Sequence, residues 1–280
     1  MTMIVNLDPQ FRPLAGETIP YESFVFNGGE PHIRIQAFDV SQEIHVTHRI
    51  NSFNDLGLLC VTVDALRRMK VKHIHGILPY FPGARQDRVM TDGESLTVKV
   101  YADIINRLDL SSLTIVDPHS DVTPALLDRC EVVSNVPFIK RILTQLPDDF
   151  VLISPDAGAA KKIHKLAQAL GISKVLECSK KRDVVTGALT GFSVPVDSLG
   201  DVPCLIVDDI CDGGGTFMGL GTELKRKNSG DLYLAVSHGI FSKGLDALGE
   251  MFTKIYTTDS IRNLSHPVVS QELLIDILKS

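Results

Sequence analysis

The stretch VDDICDGGGT, residues 207–216, places three acids and three glycines directly after an apolar run. The run CLIV at 204–207 is typical of a buried strand, and FMGLGTELKRK at 217–227 has the apolar spacing of a helix. A strand, a glycine turn and a helix in this order make a βα unit, the building block of α/β folds. The stretch matches neither GxxxxGK[ST] nor GxGxxG, so it predicts neither a P-loop nor a dinucleotide fingerprint.

Apolar runs of strand length alternate with helix-like segments along the rest of the chain. Strands are predicted at 73–80, 113–117, 150–154, 174–178, 204–209 and 231–237, and helices at 54–70, 96–108, 136–146, 158–170 and 217–227. Continuous apolar strands separated by helices form mainly parallel sheets covered by helices, so the sequence predicts an α/β fold.

The pattern runs through twice, with a break at LPDD, 146–149. It therefore predicts two domains, 1–146 and 147–280. The end of the chain, 270–280, reads as a short amphipathic helix, which packs either on the C-terminal domain or back on the N-terminal one.

Composition and charge exclude several classes of protein. A chain of 280 residues suits two domains of about 140. A net charge of −6 is unfavourable for binding nucleic acid. The sequence has no apolar run of about 18 residues and no basic segment before an apolar one, so neither a membrane span nor a signal peptide is predicted. Five cysteines without a CxxC pair predict reduced thiols, and hence a cytoplasmic protein.

The glycines and acids predict a ligand with two chemically different ends. The loop consists of Asp212, Gly213, Gly214, Gly215 and Thr216. Its glycines expose backbone N–H groups where a helix begins, which favours a phosphate, and the threonine adds a hydroxyl donor. Asp208 and Asp209 repel a phosphate, but they accept hydrogen bonds from vicinal hydroxyls or hold Mg²⁺. A sugar phosphate, ribose 5-phosphate in particular, satisfies both ends.

The spacing of these acids and glycines resembles the phosphoribosyl-pyrophosphate (PRPP) loop of the type I phosphoribosyltransferase fold. GILPYFPGARQDR at 76–88 resembles the ATP-site signature of ribose-phosphate pyrophosphokinases, and VDPHS at 116–120, ISPDAG at 153–158 and SHGIFS at 237–242 follow in that family's order. The similarity covers nearly the whole chain. It implies two tandem phosphoribosyltransferase-like domains, the first with the ATP motif and the second with the sugar-phosphate loop.

This resemblance implies an activity and the residues that carry it. The family transfers the β,γ-diphosphoryl group of ATP to the anomeric hydroxyl of ribose 5-phosphate, with Mg²⁺, and gives PRPP and AMP. Lys180 and Arg182 match its catalytic basic residues, in a segment, 179–192, that is predicted to close as a flap. The ribose 5-phosphate set would be Arg182, Asp208, Asp209, Asp212, Gly213, Gly214, Gly215 and Thr216.

The resemblance also implies a nucleotide site and metal ligands. ATP would contact Phe26, Gly28, Gly29, Glu30, Arg85, Gln86 and His119. His119 and Asp156 match the family's metal-binding pair. The chain departs from the family pattern at Gly213, where threonine is usual, and at Gly28, where aspartate is usual; the second change bears on nucleotide preference.

Two other functions share some of these motifs. One is a non-catalytic regulatory subunit associated with PRPP synthetases, and the other is a phosphoribosyltransferase that consumes PRPP. In the family, the FNGGE loop at 26–30 reaches the adenine of a neighbouring subunit, so a homo-oligomer is expected, whether dimer, tetramer or hexamer. No nucleic-acid or membrane partner is expected.

Overall fold

The computed structural model describes residues 2–182 and 189–279, without the side chains of 181, 182, 189 and 190. The strands are β1 Met3–Asn6, β2 Glu17–Thr18, β3 Tyr21–Val25, β4 Pro31–Ile35, β5 Ile44–Thr47, β6 Ile74–Ile77, β7 Ser112–Val116, β8 Cys130–Val133, β9 Val151–Ser154, β10 Val175–Glu177, β11 Ser179–Arg182, β12 Leu189–Ser193, β13 Cys204–Cys211, β14 Leu232–Gly239, β15 Lys254–Thr258 and β16 Val269–Glu272. The helices are α1 Phe53–Arg68, α2 Thr97–Asn106, α3 Val122–Leu126, α4 Val136–Leu143, α5 Ala157–Leu170, α6 Gly215–Arg226, α7 Asp246–Met251 and α8 Leu274–Ile277.

The described residues form two compact units. The first contains the chain up to Ser134, together with Ser260–Asn263 and the segment from Leu273 onward. The second contains Asn135–Asp259 and Leu264–Glu272. Helix α4 thus belongs with the second unit. The domain ranges 1–146 and 147–280 remain a sequence-based prediction.

Each unit is built on one six-stranded sheet. The order is β2-β1-β5-β6-β7-β8 in the first unit and β10-β9-β13-β14-β15-β16 in the second. Every neighbouring pair in both sheets runs parallel. The predicted α/β fold, with two mainly parallel sheets flanked by helices, is confirmed.

Burial explains why the strands are apolar throughout. All eight residues of β14, LYLAVSHG, are buried, because helices cover both faces of a parallel sheet. Helix α1 packs on its own sheet through one apolar stripe, with Leu56, Leu59, Val63 and Leu66 buried at helical spacing. Within the described ranges, no helix combines the length and the apolar character that a bilayer crossing needs.

Two hairpins stand apart from the sheets. Strands β3 and β4 pair antiparallel in the first unit, and β11 and β12 do so in the second. Strands β11 and β12 form the two ends of the segment 179–192, which was predicted to be a flap. The middle of that segment, 183–188, lies outside the described residues.

The helix predicted over 270–280 is wrong in its first half. Val269–Glu272 forms the edge strand β16, paired parallel with β15, and only Leu274–Ile277 is helical. The side chain of Gln271 fixes this strand, because its Nε2 donates to the carbonyl of Thr258 at 3.0 Å and its Oε1 accepts the Leu264 N–H at 2.9 Å. Pairing with a distant strand therefore overrides the helical spacing of this segment.

Candidate active site

In the second unit, acidic side chains lie at or near the ends of two strands that are neighbours in the sheet. Asp156 comes after β9, and Asp208 and Asp209 lie near the end of β13. Because parallel strands end at the same edge, this edge is where a ligand is expected in an open α/β sheet. Asp156 also caps helix α5, since its Oδ1 accepts the Ala159 N–H at 3.1 Å.

Lys180 on β11 forms an ion pair with Asp156. The Nζ–Oδ2 distance is 2.6 Å, and about a quarter of each side chain is exposed (25% and 26%). Burial works against ionisation of Asp156, but the Lys180 ammonium and the backbone N–H groups of Gly158 and Ala159 outweigh it, so the pKa of Asp156 lies below its usual range. The structure thus brings together the predicted catalytic lysine and the predicted metal ligand, which lie 24 positions apart in the chain.

Asp208 is in a crowded acidic environment. It is partly buried, and its Oδ1 accepts the backbone N–H of the buried Asp209 at 2.9 Å. Burial, the adjacent Asp209 carboxyl and the negative charge of Asp156 raise the pKa of Asp208 well above its usual range. Among the described side chains at this edge of the sheet, the carboxylates outnumber the one paired lysine, and the edge therefore favours a cation or a hydroxyl-rich ligand.

The glycine loop joins β13 to α6 with the geometry that the sequence predicted. Gly214 stands before the first helical residue with φ of 75°, a left-handed conformation that favours glycine. A Cβ added at Gly215 would meet no atom within 4 Å, so this backbone is open to a ligand. The backbone N–H groups of the first helical turn, at Gly215 and Thr216, start at this opening.

Asp212 is held by the turn that follows β14. Its Oδ1 accepts the Ser242 hydroxyl at 2.6 Å, and its carbonyl accepts the Ser242 N–H at 3.1 Å. The neighbouring Cys211 is fully buried, and burial, together with Asp208 and Asp212, raises the pKa of its thiol to about 12. Cys211 is therefore a packing residue, and Asp212 fixes the shape of the loop.

In the first unit, the RQDR and VDPHS motifs meet at Asp87. These motifs follow the adjacent strands β6 and β7. The buried Asp87 accepts a hydrogen bond from Arg88 Nε at 2.9 Å. That bond lowers the pKa of Asp87 against the effect of burial, and Ser120 and His119 act in the same direction. His119, the predicted ligand for metal and nucleotide, is exposed close to this carboxylate.

Arg85 and Gln86 lie in the exposed loop between β6 and α2. The Oε1 atom of Gln86 accepts the hydroxyl of Thr97, the first residue of α2, at 2.6 Å. The Gln86 side chain thus ties the loop to the start of that helix, and its amide NH₂ group is the part left to donate to a ligand.

Phe26, Gly28, Gly29 and Glu30 lie at the tip of the β3–β4 hairpin. The Phe26 N–H donates to the Glu30 carbonyl at 2.9 Å, and Gly29 makes the turn with φ of 99°. The Phe26 ring is half exposed (52%) and lies 4.8 Å from the ring of Phe24. An aromatic surface at a hairpin tip is suited to stacking on a flat ring, such as a purine.

The described side chains contain no cluster of three or more His, Cys, Asp or Glu arranged to hold a metal ion. The crowded carboxylates of Asp156 and Asp208 nevertheless fit Mg²⁺, which prefers oxygen ligands and is often held by one or two carboxylates, water and substrate phosphates.

For Arg182 the structure describes only the backbone, at the end of β11.

The structure shows three residues near these motifs that sequence reasoning did not single out. Asp87 joins the two motifs of the first unit, Ser242 holds Asp212, and the side chain of Lys243 lies beside Gly213. Ser242 ends the SHGIFS motif and Lys243 follows it, so the motif itself was the signal; only the folded chain shows which loop it contacts.

The family model and the curated relatives that match this chain name one family. Residues 17–108 match the family model of the N-terminal domain of ribose phosphate pyrophosphokinase. The ribose-phosphate pyrophosphokinase of Mycoplasma pneumoniae is 30% identical over 232 residues, which cover 78% of this chain and 67% of that protein. The ribose-phosphate pyrophosphokinase of Mycoplasma genitalium is 28% identical over 273 residues, covering 90% and 78% of the two chains.

The fold is also that of a solved structure. The crystal structure of phosphoribosylpyrophosphate synthetase from Mycobacterium smegmatis superimposes with a TM-score of 0.85 at 21% identity, covering 99% of this chain and 96% of that one. The likeness thus extends over both sheets. The chain belongs to the ribose-phosphate pyrophosphokinase family and has its tandem type I phosphoribosyltransferase fold.

Proposed function

We propose that this chain is an active ribose-phosphate diphosphokinase. The observation that carries the proposal is the group of side chains at one edge of the second sheet: Lys180 paired with Asp156 at 2.6 Å, next to Asp208 and the open glycine loop. A non-catalytic relative has no need to keep a partly buried lysine–aspartate pair beside a second, crowded carboxylate.

In the proposed reaction, the anomeric hydroxyl oxygen of ribose 5-phosphate bonds to the β-phosphorus of ATP. The bond from that phosphorus to the oxygen bridging to the α-phosphate breaks, AMP leaves with this oxygen, and the attacking hydroxyl loses its proton. The products are PRPP and AMP. Most of the catalytic effect in such a transfer comes from positioning and from stabilising charge on the phosphoryl oxygens.

The sugar phosphate would bind along the loop. The N–H groups of Gly215 and Thr216 hold the phosphate, and Asp208, with Asp209 behind it, accepts hydrogen bonds from the vicinal hydroxyls. Asp212, Gly213 and Gly214 shape the loop around it. Lys180 and Arg182 stabilise the charge on the transferred group.

The nucleotide would bind to the motifs of the first unit. Arg85 suits the phosphates through its fork of donors, with Gln86 and His119 beside it. Phe26, Gly28, Gly29 and Glu30 would contact the adenine. Asp156 and His119 are each a predicted metal ligand, and Mg²⁺, where bound, would neutralise phosphate charge.

The proposal includes a cytoplasmic homo-oligomer in which the hairpin tip serves a neighbouring subunit. Its exposed side chains Phe24, Val25 and Phe26 support this, because three adjacent apolar residues at a tip are typical of a surface that is covered in the assembly.

The direct test supplies ATP, Mg²⁺ and ribose 5-phosphate and measures AMP and PRPP. We expect both products in equal amounts, and no AMP when the sugar phosphate is left out. A protein that makes no AMP alone but changes the activity of an added synthetase would be the regulatory subunit, and one that consumes PRPP in the presence of a base would be the transferase.

Lys180→Ala tests the site itself. We expect turnover to fall about 10²-fold or more, the scale for loss of one preorganised charge stabiliser, while ribose 5-phosphate binding stays mostly intact. The control is Lys174→Ala, which breaks an exposed pair with Asp149 in the same unit and should leave turnover unchanged. Normal turnover in Lys180→Ala would remove this lysine from the mechanism.

A further inference from the structure

The turn 240–243 is fastened to the glycine loop by backbone and side-chain hydrogen bonds. The N–H groups of Ile240 and Phe241 donate to the carbonyl of Cys211 at 2.9 and 3.1 Å, and Ser242 binds Asp212 through both its N–H and its hydroxyl. The ring of Phe241 is buried (2% exposed) and anchors the turn in the core of the second unit. The backbone of residue 243 is therefore fixed next to the loop.

The Lys243 side chain lies along Gly213. A Cβ at Gly213 would stand 3.3 Å from Cδ and Cε of Lys243 and 3.5 Å from its Cγ. The lysine stem thus uses the space that a side chain at 213 would fill, and the ammonium, bonded to Cε, is at the loop. Lys243 is exposed, and in the described part of the chain no carboxylate forms an ion pair with it.

The acids around the loop would repel a phosphate, so a cation at the loop is needed to offset their charge. Asp208 and Asp209 precede it, Asp212 forms part of it, and a phosphate dianion would be repelled by all three. Lys180 does not balance this charge in the structure, because it is paired with Asp156. Backbone N–H groups and a helix N-terminus supply only partial positive charge.

We propose that Lys243 binds the phosphate group of the sugar phosphate and gives the loop its preference for a phosphorylated sugar. The inference rests on the proposed function for the identity of the ligand. It adds a binding residue that neither the acid–glycine motif nor the basic 179–192 segment contains. The ammonium closes the open side of the loop over the phosphate, while the N–H groups hold it from the helix.

Three variants test this assignment: Lys243→Met, which keeps the stem and removes the charge, Lys243→Arg, which keeps the charge, and the control Lys165→Met. Lys165 is exposed on α5 in the same unit, so the control removes one charge away from the loop. Binding of ribose 5-phosphate and of ribose is measured by calorimetry, and KM and kcat are measured for both substrates.

We expect Lys243→Met to bind ribose 5-phosphate about tenfold or more weakly, the effect of losing one charge-assisted hydrogen bond. Its KM for ribose 5-phosphate should rise similarly, while kcat, the KM for ATP and the affinity for ribose stay near wild type. Lys243→Arg should retain most of the affinity, and Lys165→Met all of it. A merely structural role would weaken ribose and ribose 5-phosphate alike and would not be rescued by arginine.

The two proposals fail in different ways. If the wild type forms AMP and Lys243→Met has an unchanged KM for ribose 5-phosphate, this inference is wrong and the proposed function stands. If the wild type forms no AMP but binds ribose 5-phosphate through Lys243, the activity is wrong and the binding role stands. A wild type that does not bind ribose 5-phosphate, with or without ATP, overturns both.

Discussion

At the scale of single residues, the acids of the second unit have opposite tendencies to ionise. Asp156 has Lys180 and two backbone N–H groups around it, and its pKa is lowered. Asp208 has a raised pKa because of its burial and because Asp209 and Asp156 lie close to it. The surroundings of Asp156 thus favour its ionised form, and those of Asp208 favour its protonated form. The raised pKa of Asp208 means that its ionisation at neutral pH reduces the stability of the folded protein.

Asp208→Asn should therefore make the protein more stable while it weakens the site. The asparagine amide keeps an oxygen that can accept the Asp209 N–H, and the substitution removes one negative charge from the group of neighbouring acids. We therefore expect a gain of about 1 kcal/mol in unfolding free energy at pH 7. Because the folded pKa lies above the unfolded value of about 3.9, the protonated Asp208 stabilises the folded wild type at low pH, and this stability is lost as the pH rises through the folded pKa. The gain should accordingly be small at pH 4.

Urea unfolding at the two pH values measures this effect, and calorimetry measures the loss of ribose 5-phosphate affinity. The matched control is Asp148→Asn, which removes one charge at an exposed position in the same unit. Equal gains in the two variants would mean that net charge, and not crowding around Asp208, sets the stability.

At the scale of elements, the site depends on how β13 turns into α6. The strand ends at Cys211 and the helix starts at Gly215, so only Asp212, Gly213 and Gly214 make the connection. So short a link requires the left-handed Gly214, whose Cβ position would also be 3.1 Å from the side chain of Leu248. Backbone geometry and ligand access are therefore set at adjacent glycines.

Gly214→Ala and Gly215→Ala should separate these two requirements. At Gly214, an alanine would have to adopt a positive φ, and its Cβ would crowd the side chain of Leu248. We therefore expect a loss of about 1–2 kcal/mol in unfolding free energy. At Gly215 it meets no atom within 4 Å, and stability should be unchanged or slightly higher.

Gly215→Ala should nevertheless weaken ribose 5-phosphate binding, since its methyl group enters the space proposed for the phosphate. Denaturant unfolding and calorimetry on both variants give the comparison. Wild-type affinity in Gly215→Ala would show that the phosphate does not approach this backbone.

At the scale of the whole molecule, the chain returns to its first unit after building the second. The returning segment Ser260–Asn263 is held by Arg49, which is buried (4% exposed). Arg49 donates to Asp8 at 2.5 Å and to Asn263 Oδ1 at 2.8 Å, and its guanidinium lies 5.3 Å from the centre of the Phe11 ring. This arginine thus joins three segments of the first unit that are far apart in sequence.

Arg49→Met should cost about 2–3 kcal/mol in unfolding free energy, because it removes a buried guanidinium that donates to the partly buried Asp8 and packs on the Phe11 ring. The control is Arg68→Met, whose pair with Asp64 is exposed (78% and 60%) and should contribute almost nothing. Urea denaturation compares them, and similar losses in the two variants would contradict the role given to burial.

Assembly is also decided at this scale. If the β3–β4 hairpin lies in a subunit contact, Phe24→Asp should lower the sedimentation coefficient, because a charge would replace a half-exposed ring (51%) in that contact. Val132→Asp, at an exposed apolar position on β8, is the control (47% exposed). A change in assembly with Val132→Asp alone would place the contact at the edge strand instead.

The sequence alone determined the α/β class, the order of the main strands and helices, and the loop at 212–216. These features follow from local rules: apolar periodicity, glycine before a helix, and acids after a strand. The short strands β1, β5, β8 and β15 and both hairpins were not predicted, because runs of four or five residues carry little periodic signal.

Only the tertiary structure decided which distant residues meet. The sheet order places β9 beside β13, brings Asp156 near Asp208, sets Lys243 along Gly213 and turns 269–272 into an edge strand. A sequence pattern shows which face of an element is apolar, but which element packs against that face depends on the fold of the whole chain. In that fold, long-range pairing can override local preference.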